Sequence, residues 1–342
     1  MSTILVVGGA GYIGSHVCKA LSRLGYLPVT FDSLVTGHVQ AVRWGPFEKG
    51  NLMDREALDR VLSVYRPGAV MHFAAFSSVG ESVVDPGKFY RNNVVGSLSL
   101  LDALRDHGIR KVVFSSSCAV YGESVYIPMT EDHPLFPVNP YGYTKRVVER
   151  MLVDFGRAHG MSSVSLRYFN AAGADPDGET GENHTPVTRL IPLALAAVSN
   201  RQSPVTIMGT DYPTPDGSCI RDYIHVTDLA DAHIRALESM NRSSDQGVCK
   251  VFNLSAGRGS SVFQVLEMIE KITGREVPTI RGLRRPGDPP WLVGDSTLAQ
   301  QELGWTPRFS SLDTIVATGW NWLRQLERNN PVTTDFGEKK HD

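Results

Sequence analysis

Ile4-Leu5-Val6-Val7 runs directly into Gly8-Gly9-Ala10-Gly11-Tyr12-Ile13-Gly14, and this order of strand, glycines and helix restricts the fold more than any other part of the chain. The glycines match GxGxxG through Gly9, Gly11 and Gly14, and GxxGxxG through Gly8, Gly11 and Gly14. They permit a tight turn, let the backbone approach a pyrophosphate and set it on a helix N-terminus. Asp32 follows 18 residues after Gly14, at the end of a second strand-like run. A carboxylate there accepts hydrogen bonds from ribose hydroxyls and repels a 2′-phosphate, which favours NAD over NADP. The alternative, a glycine turn followed by a surface aspartate, does not require strand, loop and helix to come in this order.

The first half continues the alternation. Residues 14–24 and 57–65 read as helices, 69–73 as a strand and 93–106 as a helix. Residues 111–114 read as a strand, 141–157 as a helix and 164–168 as the closing strand. Apolar strands alternating with helices predict a parallel sheet covered on both faces. The expected fold is α/β, with a Rossmann-type doubly wound parallel sheet in residues 1–170. Residues 171–186 are rich in Gly, Asp, Glu, Thr and Pro and read as an interdomain loop. They open a smaller mixed α/β substrate-binding domain at 171–328, with helices expected at 190–198, 226–239 and 261–273 and a basic, proline-rich loop at 281–290. The polar residues 329–342 are expected to form a flexible tail.

A chain of 342 residues, 42% of them apolar, is ample for such a core. Its formal net charge of −2 gives no global positive field for nucleic acid or an anionic membrane. No run approaches the ~18 uninterrupted apolar residues of a membrane span. The first residues lack the basic region of a signal peptide, so a cytoplasmic location is expected. Cys18, Cys118, Cys219 and Cys249 are scattered without CxxC spacing, which predicts free thiols and no metal site.

Tyr141-Gly142-Tyr143-Thr144-Lys145 opens a helix after Asn139-Pro140. Tyr141 and Lys145, four residues apart, share a helix face. An ammonium beside the phenol, together with a positively charged nicotinamide ring, favours the phenolate and brings it from about 10 toward neutrality, where it serves as a general base. Upstream, Phe114-Ser115-Ser116-Ser117 ends a strand, where doubly wound sheets hold their ligands. A serine there can bond the substrate oxygen being oxidised. YxxxK alone is common on solvated helices; joined to a serine-rich strand end and a dinucleotide loop, it is a specific redox constellation.

These residues are those of the extended short-chain dehydrogenase/reductase superfamily, and within it the chain resembles the UDP-glucose 4-epimerases over nearly its whole length. Similar stretches include the glycine loop, His72-Phe73-Ala74-Ala75, Val79-Gly80-Glu81-Ser82, Asn92-Asn93-Val94, the run from Ser115 to Gly122, Leu166-Arg167-Tyr168-Phe169-Asn170, the run from Arg221 to Val226, and Arg284-Arg285-Pro286-Gly287-Asp288. The resemblance implies Tyr141 as base, Ser117 as its hydrogen-bonding partner and Lys145 on the nicotinamide ribose. It implies Gly8, Gly11, Tyr12, Ile13, Gly14, Asp32, Asn51, Leu52, Phe73, Ala74, Ala75, Asn92 and Tyr168 around NAD. It also implies Asn170, Arg221, Arg285 and Asp288 around UDP; a diphosphate suits guanidinium forks. Ser77 stands where some members carry a lysine for the NAD phosphates, and Asn51 where an aspartate is usual near adenine. Cys118 and Ala119 follow Ser117, where sugar-nucleotide dehydratases place an Asp-Glu pair, which disfavours elimination.

The implied reaction is epimerisation of a UDP-hexose: transient oxidation at C4, rotation of the 4-keto sugar and re-reduction, with NAD retained. Leu292 falls where the family shapes the sugar pocket, and its bulk favours UDP-glucose and UDP-galactose over the N-acetylated pair. Leu292 and the adjacent Trp291 are equally compatible with core packing. UDP-xylose/UDP-arabinose interconversion, a sugar-nucleotide oxidoreductase that releases its cofactor, and a non-catalytic NAD-sensing module remain alternatives. A homodimer built from the helices at 93–106 and 141–157 is also implied by the resemblance.

Overall fold

The computed structural model describes residues 2–184, 186–199, 203–242, 245–285 and 288–329. Its strands in chain order begin with β1 (Thr3–Val7), β2 (Leu27–Asp32), β3 (Phe47–Lys49), β4 (Ala69–His72), β5 (Lys111–Ser115) and β6 (Ser162–Tyr168). They continue with β7 (Asn170–Ala172), β8 (Val205–Met208), β9 (Ile220–His225), β10 (Cys249–Leu254), β11 (Gly259–Ser261), β12 (Thr279–Gly282) and β13 (Trp291–Leu292). The central sheet runs β10-β6-β5-β4-β1-β2-β3 with every pair parallel. This is the doubly wound order, with its switch point where β1 lies between β2 and β4.

One expectation is corrected here. β6 is not the closing strand: β10 adds beyond it, with Cys249 opposite Ser163 and Leu254 opposite Tyr168. The outer half of β10 is partly exposed, so Cys-Lys-Val-Phe-Asn-Leu carries no continuous apolar run. The chain thus leaves the sheet after β6 and returns to it about eighty residues later by sequence count.

Side chains alternate across the sheet as strand geometry requires. Ile4 and Val6 pack on one face with Val17 and Leu21 of the helix Tyr12–Arg23 and Leu229 and Leu237 of the helix Val226–Arg242. Leu5 and Val7 pack on the other with Leu58 and Leu62 of the helix Arg55–Tyr65, Leu100 and Leu104 of the helix Gly96–Asp106, and Val148 and Leu152 of the helix Pro140–His159. Each fully buried aliphatic side chain stabilises the fold by roughly 1.5–3 kcal/mol. The helix expected from residue 93 starts differently: Tyr90–Val95 is wound wider, as a π-helix, before Gly96. Inside that segment Asn93 bonds Phe76 N (2.9 Å), Phe76 O (3.0 Å) and Thr144 Oγ1 (3.1 Å). Such π turns often serve functional sites.

A second core gathers Ile191, Leu195, Ile207, Val265, Ile269 and Ile315. It lies under the helices Leu190–Val198, Val262–Thr273 and Leu312–Asn329, the last of which was not anticipated. Beside it, β9 pairs with β7, β11 and β13, while β8 pairs with β12. The expected loop at 281–290 gives its first two residues to β12, and Pro286 and Gly287 lie outside the described residues. So does the tail from residue 330.

His16, His72, His225 and His233 are buried, and burial is the main cause that lowers them to about 4, 3, 3 and 4 respectively. The unfolded chain takes up these protons near pH 6.5, whereas the fold resists them until about pH 3–4. Their contribution is intact above pH ~6.5 and is lost as the pH falls toward ~4. The melting temperature is therefore expected to fall steadily below pH ~6.5; a profile level down to pH ~4.5 would contradict this.

Candidate active site

The glycine loop follows β1 and is too crowded for side chains. Gly8 has φ +84, and a Cβ there would stand 2.6 Å from Ala74 N. A Cβ on Gly14 would stand 2.3 Å from Gly8 O. Gly11 caps the helix Tyr12–Arg23 without any side-chain bond, and its first turn, with Tyr12, Ile13 and Gly14, holds no acidic residue. That amide end suits an anion. Asp32 ends β2 with Oδ2 on Ala10 N (3.0 Å) and Oδ1 on Leu34 N (2.8 Å). Burial raises its pKa above the usual carboxylate value, and these two bonds oppose the rise. A backbone cradle that a Cβ would fill, a helix N-terminus and a backbone-anchored carboxylate together fit a dinucleotide with free ribose hydroxyls.

The remaining cofactor candidates fall around this cleft in different states. Phe73 and Ala74 both donate to Val7 O (2.7 and 3.1 Å), which carries them and Ala75 past the end of β4 beside the loop. Leu52 is buried beneath Gly96, while the exposed Asn51 turns its Oδ1 onto Met53 N (2.9 Å). Asn92 donates to Asn93 Oδ1 (2.9 Å), and Ser77 is exposed.

Ser117 lies just beyond β5, 7% exposed, and caps a short 3-10 turn through Ala119 N (3.2 Å). Asn139 caps the next helix through Gly142 N (2.9 Å), which sets Tyr141 in its first turn. Lys145, one turn on, donates to Ser115 O (2.7 Å) and lies 5.9 Å from the Tyr141 ring centre. Tyr168 ends β6 with its hydroxyl on Ser115 Oγ. The expected acidic phenol is not produced by these side chains alone. Burial, then the neighbouring Tyr168, raise Tyr141 well above the ordinary phenol value, while the Ser117 hydroxyl and Arg189 pull it down. Burial likewise lowers Lys145 to about 7, against the opposing pull of Glu149. In a dry site each charge is costly until another charge joins it.

Beneath this set lies a network that sequence reasoning missed. Arg167 grips Glu149 with Nε (2.9 Å) and Nη2 (2.7 Å) and bonds Tyr121 with Nη1 (3.0 Å). Ser116 adds a bond to Glu149 (2.5 Å), and Tyr121 one to Asn253 (2.6 Å) of β10. Glu149 is four residues after Lys145, so the helical spacing held a signal for it; Arg189 and Tyr121 gave none.

The structure brings most of the sugar-nucleotide candidates together. Asn170 Nδ2 bonds Asp222 O (3.0 Å), next to Arg221 on β9. Arg221 pairs with Asp288 Oδ1 (3.3 Å) and bonds Pro289 O (2.9 Å), while Arg285 forks onto Asp288 Oδ2 (3.0 and 2.8 Å). Asp288 therefore bridges both arginines and offsets one of their two positive charges. Leu292 on β13 pairs beside Arg221 and packs against the cluster of Val120, Tyr121, Met129 and Phe169, as does Cys118, the residue after Ser117.

Comparison with known proteins fits this geometry. The profile of the NAD dependent epimerase/dehydratase family matches residues 4–254. The chain belongs to that family. A UDP-glucose 4-epimerase of Rhizobium meliloti is 49% identical over 321 residues, 94% of this chain and 97% of that protein. A crystal structure of UDP-glucose 4-epimerase from Brucella ovis in complex with NAD is 50% identical, with a TM-score of 0.91 over 94% of this chain and 98% of that one. The enzyme from Bifidobacterium longum, in complex with NAD+ and UDP, is 34% identical, with a TM-score of 0.89 over 96% and 99% of the two chains. The four cysteines of this family member are free, and among the described residues no helix is long and apolar enough to cross a membrane.

Proposed function

We propose that this chain is a UDP-glucose 4-epimerase that interconverts UDP-glucose and UDP-galactose with NAD as cofactor. The observation that carries the reading is the buried Tyr141 phenol beside the Ser117 hydroxyl, one helical turn from Lys145, at the carboxyl end of a doubly wound sheet. Near-full-length likeness to UDP-glucose 4-epimerases supports it. The glycine loop, the helix end at Tyr12 and Asp32 would hold the pyrophosphate and adenosine ribose. Phe73, Ala74, Ala75, Asn92 and Tyr168 would border the rest of the cofactor. Bound NAD supplies a reversible hydride acceptor for sugar C4 and, when oxidised, a positively charged ring.

The chain's own residues handle the proton and the grip. Tyr141 takes the proton of the C4 hydroxyl and returns it after the 4-keto sugar has presented its other face. Ser117 bonds the same oxygen. Lys145 keeps its ammonium on Ser115 O, where it stays close to the tyrosine ring. Asn170, Arg221 and Arg285 anchor the UDP, and Asp288 holds the two guanidinium groups in place until the diphosphate arrives. Anchoring at UDP leaves the sugar free to rotate. Leu292, paired beside Arg221, crowds an N-acetyl group and favours the unsubstituted hexoses.

Residues 171–328 carry the UDP-sugar side, with β10 returned to the nucleotide-binding sheet. Val84, Tyr90, Val95, Leu98 and Tyr143 expose apolar surface on and near the helices Gly96–Asp106 and Pro140–His159, which supports a homodimer there. Free cysteines support a reducing, cytoplasmic setting.

The test is to supply the purified protein with UDP-galactose and no added nicotinamide, and follow the anomeric signals by proton NMR. UDP-glucose should appear with no net NADH. If conversion waits for added NAD+ and NADH then builds up stoichiometrically, the reaction is a net oxidation and the epimerase reading fails.

A further inference from the structure

Residues 173–183 run across the helix Tyr12–Arg23 and reach the loop after β2, the two elements between which the proposed adenosine site lies. Tyr12 donates to Gly173 O (2.6 Å), Ser15 meets Thr180 (2.9 Å), and His38 meets Asn183 O. On its other side the segment rests on the helix Leu312–Asn329. A Cβ on Gly181 would stand 2.5 Å from Trp322, whose Nε1 bonds Glu182 O (2.9 Å).

The fastening is concentrated on one residue. Lys19 Nζ lies 2.6 Å from Asp175, 2.9 Å from Asp177 and 2.6 Å from Glu179, with its side chain 5% exposed. Burial works against its charge, but the hydrogen bonds of those carboxylates raise it above the ordinary lysine value. Arg23 and Arg43 reach Asp177 and Glu179 too, so three cations face three carboxylates. Those two arginine side chains are 62% and 49% exposed, where screening leaves such pairs weak. Only Lys19 touches all three carboxylates from a buried position.

We propose that residues 173–183 form a strap that closes the cleft over the adenosine half of the bound dinucleotide, and that Lys19 is the pin that keeps the cofactor from exchanging between turnovers. The inference rests on the glycine loop and Asp32 being the dinucleotide site. An enzyme that returns its hydride in every cycle gains nothing from cofactor release, and a strap fixed at both ends raises the barrier to it.

The test uses the full-length protein as purified. Bound NAD is quantified after acid release, and its exchange is followed by mass spectrometry after a chase with isotopically labelled NAD. Lys19→Met keeps the length of the side chain and removes its charge. It should exchange NAD at least about tenfold faster than the natural protein, a change equivalent to only ~1.4 kcal/mol of closure. A second variant, His38→Gln, loosens the exposed outer end at Asn183 and leaves Lys19 and its three carboxylates in place, so exchange should also quicken if Lys19→Met does not fold. Wild-type exchange rates in the folded variants overturn the strap, as does a natural protein that binds NAD but exchanges it freely. A natural protein that neither carries nor takes up NAD overturns the dinucleotide reading beneath it.

Discussion

Replacing Tyr141 with phenylalanine is expected to lower the epimerisation rate by about 10³-fold or more while UDP affinity changes by no more than about twofold. The ring is retained, so the buried site at the start of the helix Pro140–His159 keeps its packing. What is lost is the phenol oxygen beside Ser117. The neighbours are poor substitutes: Ser117 is a far weaker base at neutral pH, Cys118 is pushed up to about 12 mainly by burial, and Lys145, lowered to about 7, has its Nζ turned onto Ser115 O. Steady-state rates together with calorimetric titration of UDP separate the two effects. Substantial residual turnover would assign the proton transfer elsewhere, and a large loss of UDP affinity would mean that the ring oxygen orders the pocket rather than acting as a base.

Glu149→Leu is expected to destabilise the fold by about 3–5 kcal/mol, because it leaves the buried Arg167 guanidinium with no counter-charge. The side chains of Glu149 and Arg167 are 8% and 5% exposed and joined by two parallel bonds, so neither charge is relieved by water. Burial opposes the Arg167 charge, yet the Glu149 contacts raise it above the ordinary arginine value. The double change Glu149→Leu with Arg167→Met should recover most of the loss, since apolar groups of similar volume often replace a buried ion pair at little cost. Urea-unfolding midpoints of the two single variants and the double variant form the necessary cycle. Strictly additive losses would show that the pair is not coupled. Because Glu149 also bonds Ser116 and raises Lys145, the single variant should lose activity beyond its loss of stability.

Much of the fold was legible in the chain because the signals are local. The glycines of the first turn, Asp32 at the end of the second strand, and Tyr141 with Lys145 on one helix face are separated by short stretches whose geometry is fixed by strand and helix periods. The alternation of apolar strands and helices likewise determined a parallel sheet with both faces covered. β10 was not legible, because a partly exposed edge strand needs no apolar run and its partner lies more than eighty residues earlier by sequence count.

The sequence by itself therefore determined the local groupings, namely the glycine turn, Asp32 and the pairing of Tyr141 with Lys145, and the sheet that carries them. Only the tertiary structure decided their charge states and company. The Tyr141 phenol is raised rather than lowered because distant segments close over it and exclude water, and no spacing of four residues encodes that desolvation. The same holds for Asp288 shared between Arg221 and Arg285, and for Lys19 ringed by three carboxylates some 156 to 160 residues away by sequence count. Protonation and ion pairing depend on the dielectric and on neighbours in space, and those exist only once the chain has folded.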